Sequence, residues 1–315
     1  MAFLFTLTEA AAKYGVDYFD MVGSASMFSS LAGLQASTSA AVGSTVLYTV
    51  AANNGAPYVL HLAVQITGAG GQYSATTYTV SRTDTGENLL QGTGGVGSNT
   101  PSFQPLTDPA LLLAGDDTFR GNSANNTLRG YAGSDYIDGG DGTDTVLYPD
   151  PRLLYGFTKI GNTITVQTSA GVDTLVNVER LKFSDQTMAY DTTGTTGEAY
   201  RLYQAAFNRT PDTAGLGYHV RNLDKGVSLH DVALGFVSSP EFASSYGPLD
   251  NTGFVTQLYA NVLHRAPDAG GLAYHVGNLN AGVARADVLI GFSESPENQA
   301  ALVGVMARGM VFDNA

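Results

Sequence analysis

The chain has 315 residues, a length that suits two or three domains with sizeable cores. Its net charge of −13 and its pI of about 4.6 argue against nucleic acid, whose phosphates require Lys and Arg, and against an anionic membrane surface. Because the chain has no Cys, disulfides, thiol catalysis and thiolate metal sites are excluded. No apolar run approaches the ~20 residues of a membrane span.

Residues 1–110 predict an N-terminal antiparallel β domain that ends in a linker. No basic region precedes the short apolar run at the N-terminus, so we expect no cleaved secretory signal. The pattern of residues 7–21 is ambiguous, and residues 10–14 within it favour a short helix. Residues 43–82 hold three β-rich runs separated by turn signals and predict three strands. Residues 91–109 are rich in Gly, Ser, Thr, Asn and Pro and predict a linker or a long surface loop.

Residues 112–147 consist of four copies of a nine-residue repeat, which begin at positions 112, 121, 130 and 139. Glycines in the first six positions indicate tight turns with positive φ. The eighth position is always apolar, which predicts a parallel β-helix or β-roll with one buried side chain per copy: Phe119, Leu128, Ile137 and Val146. The sixth position always carries a side-chain oxygen: Asp117, Asn126, Asp135 and Asp144.

Carboxylate and backbone carbonyl oxygens in such turns suit Ca²⁺ better than zinc or copper. Seven Asp between positions 112 and 150 face only Arg120 and Arg129, so without cations the carboxylates repel one another and folding should depend on Ca²⁺. A glycine-rich linker or a metal-free β-helix is the alternative. The candidate metal residues are Gly115, Asp116, Asp117, Asn126, Gly133, Asp135, Asp141, Gly142 and Asp144.

The four copies resemble the RTX (repeats-in-toxin) family, whose pattern is GGxGxDxUx. Residues 139–147 match it at every fixed position, and residues 130–138 lack only the second Gly, which is Tyr131. The two earlier copies are degenerate. In that family each ion lies between turns two repeats apart, so the resemblance implies two pairs, of which the second has lost a charge and should bind more weakly: Asp117 with Asp135, and Asn126 with Asp144.

Short strands are predicted after the repeats, up to about Asp191. The string DTLVNVERLKFSDQT resembles the segment that commonly closes RTX rolls, where it would cover the open edge of the last strand. We therefore expect a short parallel β-roll with a β cap over residues 111–191. The resemblance also implies type I secretion, with an uncleaved signal at the C-terminal end, here within residues 300–315.

Residues 192–315 contain an internal repeat with an offset of 56, in copies at about 197–250 and 253–305. Gly226 and Gly282 stand where helices would end, and Ser239-Pro240-Glu241 has the pattern of a helix N-terminus. We expect an all-α tandem repeat whose copies pack on each other. The pair resembles a helical domain of unknown function that often follows RTX repeats in secreted bacterial proteins, and it brings no known activity.

Two features of this repeat could carry chemistry. His219 and His275 are equivalent and could be a metal pair, but that family usually has Trp there, which favours half-buried packing. Asp212 follows Pro in a loop that also holds Arg209. An ion pair with helix capping is favoured over a ligand-binding loop.

The expected fold class is multidomain β + α, and the expected function is structural. We expect a secreted, extracellular Ca²⁺-binding protein that associates with copies of itself into a surface layer, filament or matrix, with no catalytic site, no nucleic acid partner and no membrane span. A calcium-dependent adhesin or carbohydrate-binding module that holds a cell-surface glycan is the alternative. An enzyme with its site within residues 44–80 is the third hypothesis, although His61 is the only residue of the usual catalytic kind there.

Overall fold

A computed structural model of the protein describes residues 115–314 continuously and, before them, only the backbone of 3–7, 45–51, 58–68, 72–82, 88–94 and 97–98. The chain divides into two compact units, Met1–Ser184 and Asp185–Ala315. The short helix predicted at residues 10–14 and the predicted domain border near residue 110 lie outside the described residues. The division into three domains therefore stays a prediction.

The first unit begins with strands β1 (Phe3–Leu7), β2 (Thr45–Ala51), β3 (Tyr58–Gly68), β4 (Gln72–Arg82), β5 (Asn88–Gly94) and β6 (Gly97–Ser98). Neighbours pair antiparallel in the order β2-β3-β4-β5-β1, with β6 beside β4. Strands β2, β3 and β4 lie where three strands are predicted. The prediction of a linker from residue 91 is wrong for β5, because pairing with β1 and β4 outweighs the low β propensity of its Gly residues.

The four nonapeptide copies each end in a short strand: β7 (Thr118–Arg120), β8 (Thr127–Leu128), β9 (Tyr136–Asp138) and β10 (Thr145–Leu147). Alternate strands pair in parallel, β7 with β9 and β8 with β10, so the chain winds between two sheets. Strand β7 also pairs in parallel with β1, which joins the roll to the N-terminal strands.

The segment after the repeats forms a third winding of the roll. A hairpin of β11 (Gly156–Ile160) and β12 (Thr163–Gln167) is inserted first, preceded by a 3-10 turn at Arg152–Leu154. Strand β13 (Val172–Val176) then pairs in parallel with β9, and β14 (Arg180–Lys182) pairs in parallel with β10. The segment predicted to cover the last roll strand therefore does so by continuing the winding.

One apolar side chain per strand fills the space between the two sheets of the roll. The predicted residues at the eighth repeat position are 0–1% exposed, and the third winding adds Leu175 and Leu181 at 0%. Pairing places these residues in two columns: Phe119, Ile137 and Leu175 in one, and Leu128, Val146 and Leu181 in the other.

The second unit contains eight helices in its described residues: α1 (Thr195–Phe207), α2 (Thr213–Asp224), α3 (Leu229–Val237), α4 (Pro240–Tyr246), α5 (Asn251–Val262), α6 (Ala269–Asn280), α7 (Arg285–Ser293) and α8 (Pro296–Met306). Four helices form each copy of the repeat, and α7 of the second copy packs against α1 and α3 of the first. Ser239 caps α4 before a Pro at the first helical position, as predicted, and Ser295 caps α8 in the same way.

A strand pair corrects the prediction that this unit is all-α. Strand β15 (Gln186–Ala189) pairs antiparallel with β16 (Met310–Asp313), so the predicted secretion signal includes an ordered strand. Met310 and Phe312 are buried in the core of the unit, and the Asp313 carbonyl accepts a hydrogen bond of 2.8 Å from Nη1 of Arg221. The residues after the last helix form a strand because alternate side chains are buried and the segment pairs with a strand that is distant in sequence.

Across the described ranges, no helix combines the length and the apolar character that crossing a bilayer requires.

Candidate metal centre

The turns of the roll stack Asp117 and Asp135 on one side. The N–H of Asp117 donates to Oδ1 of Asp135 at 2.8 Å, and the N–H of Asp135 donates to Oδ1 of Asp173 at 3.1 Å. Asp117 and Asp135 are each 2% exposed. The structure therefore brings together the residues of the first predicted pair, and their role as calcium ligands stays a prediction.

Asn126 and Asp144 stack in the same way on the other side. The N–H of Asn126 donates to Oδ1 of Asp144 at 2.6 Å. The amide of Asn126 is bonded within its own turn, because its Oδ1 accepts from the N–H of Asn122 at 2.8 Å and its Nδ2 donates to Oδ1 of Asn122 at 3.0 Å. An amide satisfied by a neighbouring amide has less need of a cation than a carboxylate, which agrees with weaker binding at the second predicted pair.

Glycine allows the stacked turns to approach closely. Gly133 has a φ of +127°, and a Cβ there would lie 2.2 Å from the carbonyl oxygen of Gly115, so only Gly fits. Gly142 has a φ of +115° and meets the carbonyl oxygen of Ala124 in the same way at 2.8 Å. Tyr131, which stands where the pattern has Gly, also has a positive φ of 71°. Its ring lies 4.4 Å from the guanidinium of Arg129.

The two remaining acidic candidates lie at the surface of the turns. Asp116 is exposed, and its Oδ1 accepts from the N–H of Ser134 at 2.7 Å, which ties the first turn to the third. Asp141 is exposed in the fourth turn. Both carboxylates add negative charge around the buried ones, Asp116 near Asp135 and Asp141 near Asp144.

Burial raises the pKa of Asp135 and of Asp144 to about 8. Hydrogen bonds from the backbone of Asp117 and Asn126 act in the opposite direction, whereas the charges of Asp173 and Glu179 raise these pKa values further. A carboxylate that is costly to ionise when buried becomes favourable beside a cation. The electrostatics of the turns therefore suit a bound metal ion.

Two buried oxygens provide a direct test of fit for a cation. Oδ2 of Asp135 and Oδ2 of Asp144 accept no hydrogen bond from the described residues, although their carboxylates are 2% and 0% exposed. A buried polar atom without a donor is destabilising, and a hard cation would satisfy both. The described residues hold no cluster of three or more His, Asp or Glu that suits a metal. Calcium sites commonly combine carboxylates with backbone carbonyls.

Sequence reasoning missed Asp173 and Glu179. Asp173 is 4% exposed, and its Oδ2 accepts from the hydroxyl of Tyr148 at 3.0 Å. Oε2 of Glu179 accepts from the N–H of Asp144 at 2.8 Å. The inserted hairpin separates both residues from the nine-residue repeat, so their spacing did not mark them as site residues. The resemblance of the surrounding segment to a roll closure was the one signal that could have identified them.

The roll and its stacked carboxylates define a calcium-binding β-roll, and comparison with known families agrees. The model of the RTX calcium-binding nonapeptide repeat matches residues 113–146, and a domain of unknown function, DUF4214, matches residues 187–246 and 233–302. The chain therefore carries an RTX repeat followed by DUF4214 domains, and both predicted resemblances are confirmed. RTX nonapeptide repeats bind Ca²⁺, and proteins that contain them are usually secreted.

Comparison with individual proteins gives a solved structure of low similarity and no curated relative. Among solved structures, the extracellular lipase LipA from Serratia marcescens is similar to this chain with 20% identity and a TM-score of 0.15. The likeness covers 22% of this chain and 13% of the lipase. A search of curated proteins found no match.

Asp135→Ala and Asn126→Asp are expected to change calcium binding in opposite directions. Asp135→Ala removes a buried charge from the first pair and should raise the calcium midpoint by about tenfold, or about 1.4 kcal/mol. Asn126→Asp gives the second pair a second charge and should lower the midpoint. Calorimetric titration of each variant measures both effects. Equal shifts, or shifts with the opposite signs, would show that the ligand register is wrong.

In the loops of the helical unit that were considered for ligand binding, the Asp residues cap helices and pair with Arg. Oδ1 of Asp212 accepts from the N–H of Gly215 at 2.7 Å and caps α2, while Oδ2 lies 3.5 Å from Nη1 of Arg209. Asp268 and Arg265 repeat this arrangement in the second copy. The prediction of an ion pair with helix capping is confirmed.

The repeated histidines are half-buried among aromatic rings. The ring of His219 lies 4.4 Å from that of Phe236 and 6.2 Å from that of Tyr203, and His275 contacts Phe292 and Tyr259 at 4.7 and 6.3 Å. Burial lowers the pKa of His219 to about 4 and also lowers that of His275, so both are neutral at pH 7. These contacts favour packing.

Replacing both histidines by Trp is therefore expected to preserve the helical unit and to raise its melting temperature by about 2–4 °C, since about 1 kcal/mol of added burial has that effect in a chain of this size. Thermal melts followed by circular dichroism measure the change. A stoichiometric zinc or nickel site in the wild type that is lost in the double variant, together with a lower melting temperature, would make the histidines ligands instead.

Proposed function

We propose that this protein is a secreted, calcium-dependent structural protein that associates with copies of itself in a surface layer, filament or extracellular matrix. Calcium binding by the RTX repeat supports the first part. The proposal assigns no catalytic step, in line with the RTX repeat family, which is typically non-enzymatic. The observation that supports self-association is an exposed edge strand of the roll.

Strand β11 lies at one end of its sheet, with β12 on one side and no described strand on the other. Ile160 on this strand is 77% exposed, and Leu153 and Leu154 in the turn before it are 84% and 70% exposed. An open edge with exposed apolar side chains favours pairing with another chain. Because this unit contains the repeats, closure of the roll by calcium would make the edge rigid, and a second copy could extend it.

Dialysis from chelator into calcium tests the proposal by light scattering and electron microscopy. We expect assemblies at millimolar Ca²⁺ and dispersed chains in chelator, regardless of redox conditions because the chain has no Cys. Ile160→Lys should abolish assembly, since a charge on an edge strand opposes pairing. Val303→Lys is the matched control, because Val303 is 49% exposed on a helix of the other unit.

Particles that stay monomeric at every calcium concentration would contradict self-association. Assembly that Ile160→Lys and Val303→Lys reduce equally would place the contact elsewhere on the surface.

The alternative function is a calcium-dependent adhesin that binds a glycan. Tyr218 and Tyr274 occupy equivalent positions of the tandem repeat and are 58% and 66% exposed. Exposed aromatic rings repeated on one scaffold suit stacking on sugar rings as well as protein contacts. A glycan array in calcium separates the two functions, because a specific glycan bound by monomers and lost in Tyr218→Ala with Tyr274→Ala would favour the adhesin.

A further inference from the structure

The turn between β13 and β14 stacks on the last nonapeptide turn and repeats its hydrogen bonds. The N–H of Asp144 donates to Oε2 of Glu179 at 2.8 Å, as the N–H of Asn126 donates to Oδ1 of Asp144 at 2.6 Å. The N–H of Arg180 donates to the carbonyl of Asp144 at 2.9 Å, as that of Thr145 donates to the carbonyl of Asn126 at 2.8 Å. Glu179 therefore takes the place in the third winding that Asp144 takes in the second.

Asn177 supplies a backbone oxygen to the same place. A Cβ on Gly139 would lie 2.2 Å from the carbonyl oxygen of Asn177 and 2.5 Å from Oδ2 of Asp144. These two oxygens are therefore less than about 5 Å apart, the separation that two ligands of one calcium ion allow with bonds of 2.3–2.6 Å. In the winding before, a Cβ on Gly121 would meet the carbonyl of Gly139 and Oδ1 of Asn126 in the same way, at 1.8 and 2.3 Å.

The backbone of Asn177 fits this role. Its φ of 51° is in the left-handed region, which Asn adopts more readily than most residues. Its Nδ2 donates to Oδ1 of Asp138 at 2.9 Å, which holds the turn against the roll.

Asp144 provides an independent indication of a missing ligand. Its side chain is 0% exposed, and its Oδ2 has no hydrogen bond with the described residues, while its Oδ1 is used by Asn126. The oxygen without a donor is the one near the Asn177 carbonyl. The preceding winding contrasts with this arrangement, because Oδ1 of Asn126 accepts from Asn122. A buried carboxylate oxygen is destabilising unless a donor or a cation satisfies it.

We infer that the closing segment supplies a calcium site of its own, held by the carboxylate of Asp144, the carbonyl of Asn177 and the carboxylate of Glu179. Two carboxylates and a backbone carbonyl are the hard oxygen ligands that Ca²⁺ accepts in irregular geometry. This site lies between the second and third windings and shares Asp144 with the second nonapeptide pair, whereas Asn177 and Glu179 lie outside the nonapeptides. The inference rests on the proposed function, in which the roll binds calcium.

Calorimetric titration of the full chain with calcium tests the site through Glu179→Gln. Gln retains an oxygen that can accept the N–H of Asp144 but lacks the charge. We expect this variant to bind one ion fewer than the wild type, or to bind one ion at least about tenfold more weakly. Asp150→Asn is the matched control, because Asp150 is an exposed residue of the same unit and the variant loses the same charge.

Equal titrations of Glu179→Gln and Asp150→Asn would overturn this inference and leave the proposed function standing, whereas a wild type that binds no calcium would overturn both. Circular dichroism in saturating calcium first establishes that each variant is folded. Glu179→Asp keeps the carboxylate and is expected to bind the wild-type number of ions with lower affinity. If Glu179→Asp loses the ion as fully as Glu179→Gln, Glu179 acts through packing, and the inference is wrong.

Discussion

Removal of calcium is expected to unfold residues 115–184 while the second unit, with its eight helices and the β15–β16 pair, keeps its fold. In the metal-free roll, the buried carboxylates of Asp117, Asp135 and Asp144 stack on those of Asp173 and Glu179. Burial and the neighbouring like charges make ionisation of Asp135 and Asp144 costly in this stack, and without calcium their buried Oδ2 atoms lose their partner.

The size of the effect follows from linkage. Extracellular calcium sites have dissociation constants of about 10⁻⁴ to 10⁻³ M. A site with a constant of about 10⁻⁴ M in 1 mM calcium stabilises the fold by about 1.4 kcal/mol, so a few sites supply much of the stability of a small roll. Hydrogen exchange and limited proteolysis in chelator measure the change by segment, and circular dichroism follows the helices.

The helical unit is the internal control in this experiment. Its core is apolar, and its copies are joined by Arg201, whose Nε donates to both carboxylate oxygens of Glu294 at 3.0 Å. This ion pair does not require a metal. Protection of residues 115–184 that is the same in chelator and in calcium would contradict the prediction, as would simultaneous loss of the helices.

The sequence predicts the roll where its signal is periodic. The eighth repeat position identified the four buried apolar residues of the two columns, and the sixth position identified side chains that stack 18 residues apart. These features follow from a winding of constant length. The third winding could not be predicted from the period, because its offsets differ from 18 residues. The hairpin of β11 and β12 lengthens the offset from Asp135 to Asp173 to 38 residues. A shorter turn makes the offset from Asp144 to Glu179 only 35 residues.

Local chemistry likewise predicted the helix N-termini, where Ser239 and Pro240 act within one turn of chain. Strand β16 could not be predicted in this way, because Met310 pairs with Ala189, which is far away in sequence. Strand β5 is similar, since its Gly-rich sequence has low strand propensity and depends on partners on both sides. Pairing between distant segments has no local signature in a single sequence.

The closing segment also changes the interpretation of the metal centre. From the nonapeptides alone, Asp144 has the neutral partner Asn126 and belongs to the weaker pair. In the structure its buried Oδ2 is near the Asn177 carbonyl and its N–H is bonded to Glu179, so Asp144 joins the second winding to the third. We therefore expect Asp144→Asn to weaken calcium binding more than it would if Asp144 served only the weaker pair with Asn126.

Calcium affinity is expected to fall steeply as the pH is lowered below 8. Burial raises the pKa of Asp135 and of Asp144 to about 8 in the metal-free roll, so at pH 7 both carboxyls are mostly protonated. A calcium ion must displace these protons. Each carboxyl that gives up a proton weakens the apparent affinity by up to about tenfold for each pH unit below 8, so a site with one such ligand should lose about 50-fold between pH 8 and pH 6.

The metal-free roll should respond to pH in the opposite direction. The folded-state pKa values of Asp135 and Asp144 lie above the ordinary value of 3.8, so these groups contribute stability that is fully present below pH 3.8 and is lost as the pH rises through about 8. In chelator the roll should therefore be more protected from exchange at pH 5 than at pH 9. In calcium the order should reverse, because the ion needs the charged carboxylates.

Calorimetry in two buffers of different ionisation enthalpy counts the released protons directly. At pH 7 we expect about one proton from each of Asp135 and Asp144 when the roll is saturated with calcium, and the Asp135→Asn variant should release one fewer. Asp150→Asn serves as the control, since Asp150 is exposed and outside the stack. An affinity that does not change between pH 6 and pH 8, with no protons released, would show that the buried carboxylates are already charged before calcium arrives and that burial does not govern the site.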